Sequence, residues 1–364
     1  MIEIDRIFLL IEAAPRLLLK LSRRLFDDVE EQRQFVESLI EPRPIHPCIL
    51  WCGDRPNPLP FAVESSRPEQ PAWVDRLPLD AQPGKHPLHD QGAYYCLDYA
   101  SVLAASVTQA IPESVHRVVD LCASPGGKSL FVWRSLQPDW LLSNEVVGKR
   151  LAPLIANLKR CGFARLQIKS SAIASRPEFD RPNAEVSDPQ SPQISVASQD
   201  LAVLAEHLPE SMDVAIVDAP CTGQSLLAKG GKAVGCFHPV NINKNANRQK
   251  RIVANAVQLL RPGGYLAYMT CAFSPEENEA VITWLLKKHP TLRPLPVSHL
   301  AAFQSKRAEF PCYRFWPQSG IGAGGFSCLL QQTGEERSPS RPDPLSDQLI
   351  EQLNIRPIYF QGTS

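Results

Sequence analysis

Two cysteines stand where chemistry is expected. Cys221, in Val217-Asp218-Ala219-Pro220-Cys221-Thr222-Gly223, and Cys271, in Tyr268-Met269-Thr270-Cys271, each follow an apolar run that reads as a buried strand giving way to a loop. In open α/β sheets ligands sit outside the carboxyl ends of the strands, so two thiols delivered to two such ends share one pocket. The thiolate is the reactive form of cysteine. At an ordinary pKa of about 8.5 it is a minor species at neutral pH, so the surroundings must favour the anion. Ser274-Pro275-Glu276-Glu277 begins three residues past Cys271 and carries a Ser-x-x-Glu capping box with proline at the first turn. That spacing predicts a helix over about 275–289 whose partial positive end would help stabilise the Cys271 thiolate.

A third run, Val118-Val119-Asp120-Leu121-Cys122-Ala123-Ser124-Pro125-Gly126-Gly127-Lys128-Ser129, has the same form and brings a glycine-rich turn that opens a helix. Gly127-Lys128-Ser129 ends like a phosphate-binding P-loop, but the required first glycine is Cys122, and no G-x-G-x-x-G fingerprint is present. What remains is a strand ending in Asp120, a tight turn, a helix start, and a second strand ending in Asn144-Glu145. An acid at that second position holds a ribose hydroxyl pair in this architecture, which fits adenosine carried by S-adenosylmethionine or by a nucleotide. The cysteines choose between them. Cytosine C5 is a poor nucleophile until a thiolate adds at C6; the resulting enamine can attack a methyl sulfonium. Release of the enzyme then requires removal of the C5 proton, by a second thiol or an activated water, and Asp218 is placed to hydrogen-bond the N3/N4 edge of the base.

These residues need a scaffold. From Tyr94 onward strands alternate with helices: strands at about 116–121, 140–145, 165–169, 213–218 and 264–270, helices at about 126–137, 147–161, 199–208 and 243–260. This alternation argues a parallel, doubly wound α/β sheet. Residues 172–198, rich in Ser, Pro, Asn, Gln and Asp, read as a mobile surface insertion. Two helices over residues 5–40, broken near Phe26-Asp27-Asp28, a strand at Cys48–Cys52 and a proline-rich connector make a small amino-terminal α+β module, 1–93; the catalytic unit is expected over 94–332 and a polar tail over 333–364.

Bulk properties bound the function. Ten cysteines in 364 residues, with no Cys-x-x-Cys, exclude a disulfide scaffold and give no zinc pattern, so reduced thiols and no metal are expected. Thirty-eight basic against thirty-eight acidic residues provide no global field for nucleic acid. Any such binding must come from local groups: Arg16, Lys20, Arg23 and Arg24; Lys149 and Arg150; Lys159 and Arg160; Lys244, Arg248, Lys250 and Arg251. No membrane span or signal peptide is visible, and a cytoplasmic monomer is the expectation.

Taken together, the Asp120–Ser129 segment, Asp218-Ala219-Pro220-Cys221-Thr222-Gly223, and Thr270-Cys271 with Pro275-Glu276-Glu277-Asn278-Glu279 resemble the three signature segments of the RsmB/Sun family of RNA cytosine-5 methyltransferases, over about residues 94–330. The resemblance implies a Rossmann-like S-adenosylmethionine domain acting on RNA, with ribosomal RNA favoured and transfer RNA open. It assigns Cys271 as nucleophile, Cys221 to product release and Asp218 to the base. The cofactor would rest on Cys122, Ala123, Ser124, Pro125, Gly126, Gly127 and Lys128, with Glu145, Arg150 and Asp218. Departures are Ser124 for alanine, Ser129 for threonine, Met269 for serine, and, more seriously, Ser170 and Ser171 where the third strand should supply an aspartate towards the adenine amino group. Another acid, Asp180 or Asp200, would then take that place. A DNA cytosine methyltransferase would use Cys221 as its nucleophile, and the presence of Thr270-Cys271 argues against it. A non-catalytic RNA-binding or ribosome-assembly factor that keeps the fold is the remaining alternative.

Overall fold

The computed structural model describes residues 14–112, 114–173, 192–334 and 345–358. Two helices open it, α1 (Arg16–Leu25) and α2 (Val29–Ile40); residues 5–13 of the expected first helix lie outside the described residues. The break between them is set by Asp28, whose Oδ1 accepts the Glu31 backbone N–H at 2.9 Å and caps α2. The apolar faces of both helices (Leu18, Leu21, Leu25, Phe35, Leu39) pack on Phe273 and Trp316, with Phe35 and Phe273 edge to face at 5.2 Å. Phe273 lies two residues beyond Cys271, so the amino-terminal helices cover the loop that carries this thiol.

A small antiparallel sheet follows, with β1 (Cys48–Trp51) between β2 (Val74–Arg76) and β3 (Tyr94–Cys96). Tyr94–Cys96, read from the sequence as the opening of the catalytic unit, is thus the third strand of the amino-terminal sheet. Helix α3 (Tyr99–Ser106) then leads into the main sheet.

The main sheet alternates strand and helix: β4 (Arg117–Asp120), α4 (Gly127–Ser135), β5 (Trp140–Asn144), α5 (Gly148–Ile173), β6 (Gln193–Ala197), α6 (Leu201–His207), β7 (Met212–Asp218), α7 (Pro239–Leu259), β8 (Leu260–Thr270), α8 (Glu279–Lys288), β9 (Leu292–Pro294), β10 (Tyr313–Phe315) and β11 (Gly325–Gln332). With β12 (Arg356–Pro357) at its far edge, its order is β10-β11-β8-β7-β4-β5-β6-β12, with β9 on β11. The five strands from β4 to β8 are parallel, and β11 enters antiparallel beside β8. Successive residues face opposite cores, as the two-residue period of a strand requires. Val118, Val214 and Ile216 enter one core; Val119, Ala215 and Val217 enter the other. Burial on both faces explains why these strands read as continuous apolar runs. No described helix is long and apolar enough to cross a membrane.

Two expectations are corrected here. Residues 165–169 are not the third strand: they continue α5, and the third strand is β6, inside the segment read as an insertion. Five alternating residues are too few to separate a strand from the end of a helix, and helix growth onto an existing helix is favourable. Ile194 and Val196 of β6 fill the core beside β5 instead. Of the 172–198 segment, 174–191 lie outside the described residues. The tail also returns to the fold: α9 (Asp347–Gln352) leads to β12 (Arg356–Pro357), which pairs with β6, and Leu353 and Ile355 are buried.

Candidate active site

The parallel order places the ends of β7 and β8 side by side, and the two cysteines with them. Cys221 Sγ and Cys271 Sγ are 2.9 Å apart, and neither forms a disulfide. The pair is polarised. The Cys221 thiol donates to Cys271 and holds that sulfur below the ordinary thiol pKa; burial and Asp218 push the other way, while a hydrogen bond from the Ser225 side chain and the charge of Lys128 help. Cys221 is driven well above the usual range, first by that hydrogen bond, then by burial and the neighbouring thiolate charge. Of the two thiols, Cys271 is therefore the more readily ionised.

The expected capping box does not form. Pro275–Glu277 is a single tight turn, and Asn278, at φ −117° and ψ −104°, separates it from α8. Ser274 Oγ accepts from Gln224 Nε2 at 2.6 Å rather than capping a helix. Glu277 turns to the other cysteine loop, accepting from Thr222 N (2.9 Å), Thr222 Oγ1 (2.6 Å) and Gln249 Nε2 (3.2 Å). Acidification of Cys271 comes from Cys221, Ser225 and Lys128, not from a helix end.

Amides that carried no sequence signal hold the two loops together. Gln224 is fully buried: its Oε1 accepts from Phe273 N (2.6 Å) and Ser274 N (3.0 Å), and its Nε2 donates to Ser274 Oγ and to Cys236 O. Gln249 on α7 donates to Pro220 O at 3.0 Å, and Asn278 joins Thr270 Oγ1 to Ala272 O. Replacing Gln224 by leucine keeps the volume and strands two buried N–H groups; a stability loss of about 2 kcal/mol or more is expected, read from denaturant midpoints at unchanged m-value.

Lys128 meets the thiol pair from β4's side. Its Nζ lies 3.1 Å from Asp218 Oδ2. Burial lowers its pKa but the Asp218 carboxylate more than offsets this, so the ammonium is retained. The sequence reading placed Lys128 with the cofactor turn; the fold directs its charge to Asp218 and Cys271. The turn itself is shaped by glycine. Gly126 has φ +113°, and a Cβ on Gly127 would meet Leu97 Cδ1 at 2.8 Å. Beneath it, burial raises the Asp120 carboxyl to about 7, opposed by Ser129 Oγ (2.7 Å) and Cys122 N (3.2 Å). Burial likewise pushes the Cys122 thiol up. Ser124 and Arg150 exchange two hydrogen bonds, Ser124 Oγ to Arg150 O at 2.8 Å and Arg150 Nη2 to Ser124 O at 2.7 Å.

A cavity of about 400 Å³ opens at the ends of β4, β5 and β6, within the size range of small-molecule sites. Cys122, Glu145, Arg150, Asp200 and Pro220 line it, with apolar walls from Leu121, Val146, Leu201 and Ile252. Glu145 is 3% exposed; its Oε1 accepts Val147 N at 2.9 Å and its Oε2 lies 3.6 Å from Arg150 Nη1. Asp200 follows β6 by three residues, so relocating the third strand brings an acid to the position where Ser170 and Ser171 had been expected to fail. One of its oxygens caps α6 through Ala202 N at 2.8 Å; the alternative acid, Asp180, lies outside the described residues.

Several of the basic groups have local partners. Arg24 pairs with Glu276 at 2.7 Å, Arg160 binds the backbone carbonyls of His89 and Tyr94, and Lys250 lies over Trp284. Arg248 and Arg251 line the cavity.

The chain is similar to proteins of known name and structure. Ribosomal RNA small subunit methyltransferase F of Escherichia fergusonii is 29% identical over 292 residues, which is 79% of this chain and 53% of the relative; the chain thus spans about half the length of the curated relatives it matches. Among solved structures, a methyltransferase homologue from Pyrococcus horikoshii superposes with a TM-score of 0.59 at 19% identity, covering 87% of this chain and 99% of the other. NSun6 from Pyrococcus horikoshii gives 0.63 at 17%, covering 88% and 99%. At those identities the likeness shows the fold alone, a Rossmann-like methyltransferase sheet. The family model described as 16S rRNA methyltransferase RsmB/F matches residues 108–331, a span that takes in the glycine turn, both thiols and most of β11, and the chain belongs to that family.

Proposed function

We propose that this protein methylates C5 of a cytosine in RNA, ribosomal RNA by preference, using S-adenosylmethionine and a covalent adduct between Cys271 and C6 of the base. The observation that carries the reading is the thiol pair, 2.9 Å apart, with Cys271 the more acidic member and the Lys128–Asp218 ion pair beside it. The residues around the cavity fit the cofactor: Glu145 for the ribose hydroxyls, Asp200 for the adenine amino group, and the Gly126–Gly127 turn for close backbone approach. When bound there, S-adenosylmethionine supplies an electrophilic methyl on a sulfonium.

The chain's own residues do the rest. Cys271 Sγ adds to C6, forming the S–C6 bond and moving the C5=C6 electron pair to C5. Asp218 accepts from the N4 amino group and fixes the base edge, and Lys128 holds Asp218 and stabilises the thiolate before attack. Bond formation removes the negative charge from Cys271, and with it a main cause of the high pKa of Cys221. Once C5 carries the methyl group, Cys221, its own thiol proton released to solvent water, takes the C5 proton, and the C5–H electron pair re-forms C5=C6 and expels the Cys271 thiolate. The protein works as a monomer on its RNA, in the cytoplasm. Asp200, just past the end of β6, is an acid placed to serve the adenine, and no observation favours a non-catalytic assembly factor.

RNA carrying tritium at cytosine C5, incubated with the protein and S-adenosylmethionine, should release one tritium per methyl group incorporated; methyl incorporation without release would contradict C5 as the target. Glu145→Ala should weaken S-adenosylmethionine binding about tenfold or more, since losing hydrogen bonds to a charged group costs ~1.5–3 kcal/mol. Calorimetry is the check, and unchanged affinity would remove Glu145 from the site.

A further inference from the structure

Three guanidinium groups line the cavity at the ends of β4, β5 and β6. Arg150 is engaged at both ends, with the Ser124 carbonyl and Glu145. Arg251 is exposed at the rim. Arg248 differs from both: it is half-buried on α7, near enough to Cys122 to act on it electrostatically, and it makes no hydrogen bond or ion pair among the described residues. Its side chain lies one residue before Gln249, which is itself fastened to Pro220 O and Glu277, so the helix position that presents Arg248 is held rigidly.

A partly desolvated guanidinium without an anion is an unfavourable arrangement, because burial removes water that nothing in the protein replaces. Arginine's planar fork is suited to a carboxylate or a phosphate oxygen pair. The acids lining the same cavity leave no role for it: Glu145 is paired with Arg150, and Asp200 caps α6.

Resting on the cofactor reading above, we infer that Arg248 binds the α-carboxylate of the methionine end of S-adenosylmethionine. The Glu145 and Asp200 end of the cavity matches the nucleoside, and Cys122, Pro220 and Arg248 line it together with them. The methionine end carries the one anionic group of this ligand. Lys128, the other cation near these loops, is held by Asp218 at 3.1 Å and is not available to it. Arg248 thereby distinguishes the intact amino-acid-bearing cofactor from nucleosides that lack the carboxylate.

Calorimetric binding of S-adenosylmethionine and of 5′-methylthioadenosine, which retains the nucleoside but lacks the amino acid, tests this on the full chain without turnover. Arg248→Met should lose about tenfold in affinity for S-adenosylmethionine and leave 5′-methylthioadenosine binding unchanged, which also shows that the variant is folded. Arg248→Lys should recover part of the loss. An equal loss for both ligands would make Arg248 a structural residue, and no loss for either would overturn the assignment while leaving the cofactor reading intact. A loss confined to RNA binding, with a shallower salt dependence, would assign the guanidinium to a phosphate instead. Failure of the unmodified protein to bind S-adenosylmethionine would overturn both readings together.

Discussion

Cys271→Ala is expected to abolish methylation and every covalent protein–RNA species, while Cys221→Ala traps one. The asymmetry follows from the charge distribution in the pair. Cys271 is the more readily ionised of the two thiols, and the role proposed for Cys221 is removal of the C5 proton rather than attack at C6. Removing Cys221 takes away the first cause of Cys271's acidity, so the adduct should form more slowly and its formation should shift to higher pH. Once formed it should persist, because the group positioned to take the C5 proton is gone. Denaturing gel electrophoresis of both variants on RNA and on DNA separates this from the opposite division of labour, in which the adduct disappears in the Cys221 variant.

Lys128→Met should lower kcat by about a hundredfold or more, the usual cost of removing one group that stabilises charge in a closed site. The sign of the accompanying pH effect is fixed by the cause. Lys128 favours the Cys271 anion, so the rate of the unmodified enzyme should rise with pH through a value below that of an ordinary thiol and then level off. In the variant the rise should move to higher pH, and the loss should be smaller in alkaline than in neutral buffer. A uniform loss at all pH values would mean that Lys128 acts only by holding Asp218, 3.1 Å away.

Much of this site was legible in the residues because three of its segments combine strand endings with unusual loop chemistry. Cys221, Cys271 and Asp218 could be placed at neighbouring strand ends from apolar runs alone, and β4, β5, β7 and β8 fall within a few residues of where those runs put them. The third strand was misplaced because Arg165-Leu166-Gln167-Ile168-Lys169 and Gln193-Ile194-Ser195-Val196-Ala197 show nearly the same alternation, and only packing beside β5 chooses between them. That single error made an acid appear missing, whereas Asp200 follows the end of β6 and lines the cavity. The loop amides were invisible for a different reason. Gln224, Gln249 and Asn278 are neutral polar residues at unremarkable positions, and their role arises from which loops the topology brings together. The capping box failed by the same competition: Ser274 and Glu277 have the right spacing for a helix start, but Gln224 and Thr222 offer them partners in the adjoining loop.

The central claim is that Cys271 is the nucleophile at cytosine C6. RNA containing 5-fluorocytosine, whose C5 fluorine cannot leave as a proton, should arrest the unmodified enzyme as a covalent complex when S-adenosylmethionine is present. Proteolysis and mass spectrometry of that complex should find the methylated, fluorinated nucleotide on the peptide containing Cys271; a modified Cys221 peptide, or no modified peptide at all, would contradict the account.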